Sequence, residues 1–440
     1  MNDIPKRTAD LLPEEKRALL AQLLQKKASQ SSETLAENLA KESDIFSLPA
    51  APAQAKLERE ITVAPVDGLQ AKGLDEKQLL PTPVKGMQFS LLYFSSNESK
   101  FTDNKYQLLL EGAKFADQHG FTAVWTPERH FHAFGGIYPN PSVLGAALAM
   151  VTERIRLRAG SVVMPLQNPI RVAEEWSVVD NLSHGRVDLA FARGWNVQDF
   201  VLWPQHYANS REVLFSGVKT VQKLWRGEAI LVPDGVGKET EIKIYPLAKQ
   251  RELPIWITSS GSKETFIEAG AFGYHVLTAL LFQEIEELTE KIALYRDSRA
   301  KHGHDPQTGH VTLMLHTFVG EEIGVVRDKV RGPFTEYLKT SVDLWRHGSK
   351  SIGELSERER EKLVAYAFER YSRTNALFGT PSTCLEMVNR LKEIGVDEIA
   401  CLIDFGVDVD SVLASLYSLN MLRERFNRKF QMLAAEEVNS

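Results

Sequence analysis

"EEWSVVDNLSHGRVDLAFARGWNVQDF", residues 174–200, decides how the rest of the chain is read. Its first half reads as a helix that stops at Gly185, the residue type suited to closing a helix turn. "RVDLAFA" (186–192) follows as a short buried strand, apolar enough for a parallel sheet covered on both faces. Where that strand should end stand Arg193 and Gly194, and then Trp195 and Asn196. A guanidinium and a glycine at the end of a buried strand point to a functional loop.

The same alternation runs outward in both directions. "MQFSLLYF" begins it at Met87, followed by the amphipathic "YQLLLEGAKFADQHG". "FTAVWTPE" and "SVLGAALAMVTE", then "IRLRAGSVVMP" and "IRVAEEWSVVDNLS", continue it up to the opening stretch. Beyond it come "SGVKTVQKLWRG", an excursion at 228–250, "PIWITSS", "KETFIEAGAFG", "YHVLTAL" and the helical 284–303. "HVTLMLHTFVG" precedes a long, mostly helical insertion at about 320–378, and "DEIACLID" with "VDSVLASLYSLNMLRERF" closes the series. Eight strand–helix units predict an α/β fold, a (β/α)8 TIM barrel over residues 86–430. An open doubly wound sheet fits less well, because "YFSSNESKF" after the first strand lacks its glycine-rich turn.

Residues 1–30 predict a helical segment, centred on "DLLPEEKRALLAQLLQKKA" with its leucines on one face. It reads equally as a helix docked on its own domain or as a partner-binding helix. Residues 31–85 read as a polar, partly disordered linker. Among 440 residues, 43% are hydrophobic and 25% charged, an ordinary globular balance. A net charge of −6 gives no basic footprint for nucleic acid. No run approaches the ~20 apolar residues of a membrane span, and the N-terminus lacks a signal peptide's apolar stretch. With Cys384 and Cys401 far apart from any paired motif, a cytoplasmic protein is expected.

In such a barrel the site lies at the C-terminal ends of the strands. After the fifth barrel strand, "TSSGSKET" (258–265) runs Ser260, Gly261 and Ser262 into a helix, offering hydroxyls and free N–H groups to a phosphate. The same residues also serve as a plain N-cap. Arg193 on the neighbouring strand end favours the phosphate reading, and Arg211 in "NSR" offers a second guanidinium. Gly194 then lets the backbone come close. "ERHFHAFGG" (128–136) carries Glu128, Arg129, His130 and His132. His130 is the candidate base or proton donor, with a structural histidine beside Glu128 as the alternative. His-x-His without further ligands makes no metal site. "GVGKET" (235–240) lacks a P-loop's first glycine and its Ser or Thr, and "SERERE" (356–361) reads as a solvated helix face.

These residues resemble the flavin-dependent luciferase-like monooxygenases over about 87–420. The likeness runs through "GFTAVWTPERHFHAFGGIYPNPSVLGAALA", "MPLQNPIRVAEEWSVVDNLSHGRVDLAFARGWNVQDF" and "NSR". It implies FMN, reduced by a separate flavin reductase, held at its phosphate by Arg193 and Arg211 with Ser260, Gly261 and Ser262 assisting. It places Gly160 and Ser161 at a non-prolyl cis peptide under the flavin ring, and Asp199 near the ring edge. It gives Glu128, Arg129 and His130 the catalytic positions, with one departure. Arg129 stands where the luciferases have their catalytic histidine, and His130 matches the second histidine. Ala192 replaces a cysteine carried by luciferases, so light emission with a long aldehyde is not expected. "ERHF" and "ARGWN" look like an atypical subgroup associated with nonribosomal peptide and polyketide assembly lines. "LPEEKRALLAQLLQKKA" is similar to the segment that opens condensation domains. The resemblance thus implies a substrate tethered to an acyl or peptidyl carrier protein and oxidised by hydroxylation, N-oxidation or Baeyer–Villiger insertion. Three other functions stay open: an F420-dependent dehydrogenase on the same barrel, a non-catalytic flavin-binding homologue, and an assembly-line docking protein. So does the choice between monomer and homodimer.

Overall fold

The computed structural model describes residues 86–94, 104–132, 135–259, 261–280, 283–346 and 368–439, the side chains of 341–346 and 429–439 excepted. The predicted N-terminal helix, the linker up to residue 85, Ser260 and the middle of the insertion lie outside the described residues.

Each of the eight expected strands forms: β1 (Gln88–Leu92), β2 (Ala123–Thr126), β3 (Arg156–Val163), β4 (Val187–Ala192), and, past a two-stranded excursion, β7 (Ile255–Thr258), β8 (His275–Ala279), β9 (Val311–Val319) and β11 (Glu398–Leu402). They pair in parallel in that order, and β11 returns to β1 with Leu402 opposite Leu92, which closes the ring. The result is the predicted (β/α)8 barrel. The excursion is an antiparallel hairpin of β5 (Ile230–Pro233) and β6 (Glu239–Ile242). "GVGKET" falls at its turn, where the Asp234 carboxylate accepts the Val236 and Lys238 N–H groups, so its glycines shape a bend.

The insertion departs from its expected helical character at its end. Helix Ile323–Arg346 forms, but residues 376–379 are a strand, β10, paired with His316–Val319 of β9. At nine residues β9 overshoots its neighbour β8, which leaves it at Met314 on the edge opposite β11. The short run "ALFG" takes up the backbone groups above that point.

Polar–proline pairs start three of the covering helices. Asn140 caps Pro141–Ala149 by accepting the Ser142 and Val143 N–H groups, and Asn168 caps Pro169–Leu182 through Ile170. Thr380 and Thr383 form a reciprocal box at Pro381–Glu393. Gly185 closes the helix of the opening stretch with φ +88°, as its position there required.

Below the mouth, the lumen is filled by a charged cluster. Arg158 of β3 donates to Asp188 at 2.6 Å and to Glu398 at 2.7 Å, with its guanidinium 4.7 Å from the Trp125 ring and 4.5 Å from the Trp256 ring. β4 and β11 lie on opposite sides of the ring, so this cluster crosses the lumen. Although burial pushes it up, Arg158, His310 and Ser90 hold the Glu398 carboxyl well below the usual carboxylate range.

Candidate active site

Glu128 follows β2 and is buried. One of its oxygens accepts the Val163 N–H at 2.8 Å, while the other meets Gln167 Nε2 at 2.5 Å and His130 Nε2 at 2.9 Å. The carboxylate therefore ties the loop after β2 to the end of β3. A carboxylate carrying three such bonds is a positioning group. With the carboxylate at Nε2, the hydrogen-bond network assigns the imidazole proton to that nitrogen and leaves Nδ1 as the basic one.

Arg129 turns the other way. It is buried, with its guanidinium 4.5 Å from the centre of Phe94 and 5.4 Å from that of Trp195. Burial lowers its pKa, opposed by Tyr337 and Asp199. Burial likewise raises the Asp199 carboxyl, opposed by Arg129, by His130 and by the hydrogen bond from Asn196. Glu128, Arg129, His130 and Asp199 thus share one electrostatic neighbourhood at the barrel mouth.

The phosphate-side candidates stand at the ends of β4 and β7, which are adjacent strands. Arg193 is exposed and, among the described residues, its guanidinium has no hydrogen-bond or ion-pair partner. Gly194 has φ +78°, and a Cβ there would lie 3.0 Å from Val163 and 3.1 Å from Phe200. Its need for glycine comes from packing and backbone sign, in addition to any ligand. Ser262 is the N-cap of helix Lys263–Ala271, accepting the Thr265 N–H at 3.2 Å and donating to Glu264 at 2.7 Å. Gly261 is open, with nothing within 4 Å of a Cβ built there. Arg211 is engaged by Glu268 at 2.7 Å, which ties the helix Ser210–Trp225 to Lys263–Ala271. An unpartnered cation beside free first-turn N–H groups suits a phosphate; Arg211 would have to leave Glu268 to join it.

The Gly160–Ser161 peptide is cis, at the predicted place on β3. Ser161 Oγ lies 2.5 Å from Thr258 Oγ1 of β7. A Cβ on Gly160 would come 3.0 Å from the Trp125 ring, so the backbone here packs flat on that indole.

Residues 87–398 match the family model described as luciferase-like monooxygenase. The chain belongs to that family. It is an enzyme, a flavin-dependent monooxygenase. Among its relatives is the oxygenase component of a flavin-dependent trigonelline monooxygenase from Acinetobacter baylyi, 27% identical, covering 75% of this chain and 92% of that protein. An alkanal monooxygenase alpha chain from the Kryptophanaron alfredi symbiont is 23% identical, over 68% of this chain and 86% of that one. Among solved structures, monooxygenase RslO1 from Streptomyces bottropensis superposes with a TM-score of 0.64 at 22% identity, over 76% of this chain and 98% of that chain. The oxygenating constituent of 3,6-diketocamphane monooxygenase from Pseudomonas putida, a type II Baeyer–Villiger enzyme solved with FMN, superposes at 0.61 and 18% identity, over 77% and 97%. These two likenesses show the fold.

The monooxygenase has site neighbours that sequence reading missed. Tyr337, from the insertion helix, is near enough to Arg129 to couple to its titration. It packs with His316 of β9, whose ring is fully buried among Phe334, Tyr337, Tyr371 and Phe405. Tyr371 Oη is 3.3 Å from His316 Nδ1, and burial pushes the imidazole down to about 3. An aromatic residue in an amphipathic helix signals core, so nothing local marks Tyr337 as a neighbour of the mouth. Among the described residues no group of His, Cys, Asp and Glu could hold a metal ion, and no helix is long and apolar enough to cross a membrane.

Proposed function

We propose that the enzyme uses reduced FMN, supplied by a separate flavin reductase, and O2 to oxygenate a substrate carried by an acyl or peptidyl carrier protein in cytoplasmic natural-product biosynthesis. Hydroxylation, N-oxidation and Baeyer–Villiger insertion are the reaction types this site serves. The observation that carries the cofactor reading is Arg193, a guanidinium without a partner among the described residues, at the strand end beside the Ser262 helix start. The relative named as an oxygenase component supports a separate reductase, and the neighbour solved with FMN supports the choice of flavin.

Bound FMN supplies the oxygen-activating chemistry. Arg193, with Ser260, Gly261 and Ser262, would hold the phosphate, and Arg211 would join on releasing Glu268. Gly160 and Ser161 would support the ring, and Asp199 would approach it. His130 takes or gives a proton at Nδ1 while Glu128 fixes its tautomer. The helix Ile323–Arg346 and its aromatic packing shield the mouth from water.

Oxygen uptake tests this reading. With FMNH2 and a carrier-bound acyl substrate, the enzyme consumes O2 above the free-flavin background and transfers one oxygen atom to the substrate. Reduction of F420 without an oxygen requirement would replace the proposal with a dehydrogenase. Carrier binding without flavin-dependent uptake would make the chain a docking protein, and FMN binding without uptake a non-catalytic homologue.

A further inference from the structure

Thr258 closes β7 at the barrel mouth. It stands on the lumen face, because Trp256, two residues earlier, packs on Arg158 inside the barrel, and a strand returns to the same face every second residue. By the same rule β4 presents Ala190 and Ala192 beyond Asp188, which binds Arg158 there. On β3 the register shifts between Gly160 and Val162, and Ser161 Oγ comes within 2.5 Å of Thr258 Oγ1. β4 runs between those two strands, so the hydroxyls meet across it, over side chains no longer than a methyl group.

Each hydroxyl carries one hydrogen and two lone pairs. One hydrogen joins the pair. Among the described residues neither oxygen has a further partner, so the second hydrogen has no acceptor. Ser161 is only 7% exposed, while Thr258 is half-buried. An unbonded donor costs least where it can be reached, which makes Ser161 the donor within the pair and turns the Thr258 hydrogen toward the mouth. Arg193 directly follows Ala192, and Gly261 and Ser262 follow Thr258 within four residues. A flavin whose phosphate lay at those strand ends would carry its ring inward over Ala192 and Thr258. We propose that Thr258 is a cofactor-binding residue that donates its hydroxyl hydrogen to a carbonyl of the flavin ring, with Ser161 holding it in that orientation. This inference rests on the proposed cofactor site.

The ring carbonyls accept hydrogen bonds in oxidised as well as reduced flavin, so fluorescence titration with oxidised flavins tests the contact. FMN and riboflavin, which keeps the ring and lacks the phosphate, are titrated into the full-length chain and into Thr258→Val and Thr258→Ser. Thr258→Val, which keeps the shape and loses the hydroxyl, should weaken both flavins alike, by about 2- to 12-fold for one neutral hydrogen bond. Thr258→Ser keeps the hydroxyl and should stay within about twofold of the wild type. Unchanged binding in Thr258→Val overturns the inference. So does an equal loss in Thr258→Ser, which would make the effect one of packing, and so does a loss for FMN alone, which would move the contact to the phosphate. Wild-type binding of FMN without measurable binding of riboflavin would leave the ring no such contact, and overturns it without any variant. A loss for riboflavin in Thr258→Val, with FMN binding unchanged in Arg193→Ala, faults the phosphate reading and leaves this inference standing. Failure of the wild type to bind either flavin faults the cofactor reading, and this inference with it.

Discussion

Gly194 carries two demands at one position. Its φ of +78° belongs to the region glycine enters freely, and its missing Cβ makes room for Val163 and Phe200. Gly194→Ala is expected to destabilise the fold by about 1–3 kcal/mol, measured by chemical denaturation. A change below a few tenths of a kcal/mol would show that the loop shifts freely. Residue types explain which parts of the site were legible in the sequence. Glu128, Arg129 and His130 were readable because a short charged run follows a buried strand. The pairing of Arg211 with Glu268 was not, since the two lie 57 residues apart. The lumen charge of Arg158 was hidden for the same reason, with partners 30 and 240 residues away.

Beside the proposed phosphate site, an exposed tie joins helices Ser210–Trp225 and Lys263–Ala271. Arg211 and Glu268 are 51% and 30% exposed, so their bridge contributes at most ~1 kcal/mol. Under the proposed function, Glu268 competes with the flavin phosphate for Arg211. Glu268→Gln should therefore tighten FMNH2 binding by up to about fivefold, with little change in stability. Weaker binding would mean that the tie positions the two helices and that Arg211 never serves the phosphate. At this scale the sequence showed all eight barrel strands, because an apolar strand followed by an amphipathic helix repeats with few interruptions. β10 escaped it, since a four-residue run has no period to read. What called β10 into being is the length of β9 beyond the end of β8, a property of the sheet and not of the run itself.

The whole molecule joins a barrel to an insertion through a buried aromatic cluster with His316 at its centre. Burial holds that imidazole neutral down to about 3, below its ordinary value of about 6.5. Because the folded value is the depressed one, unfolding takes up a proton in this window. The stability His316 contributes is therefore complete above about pH 6.5 and is lost as pH falls toward about 3. The loss amounts to about 1.4 kcal/mol per pH unit from this group. Denaturation midpoints of His316→Phe should fall less steeply between pH 6.5 and 4 than those of the wild type. Parallel curves would mean that the ring is solvated.

The proposed contact of Arg193 with a flavin phosphate can be measured most directly by anaerobic titration of reduced FMN into the wild-type chain and into Arg193→Ala. Loss of a charge-assisted contact of about 1.5–3 kcal/mol predicts binding weaker by roughly 10- to 150-fold in the variant. Equal affinity of the two chains would contradict a phosphate held at the β4 strand end, and with it the proposed site.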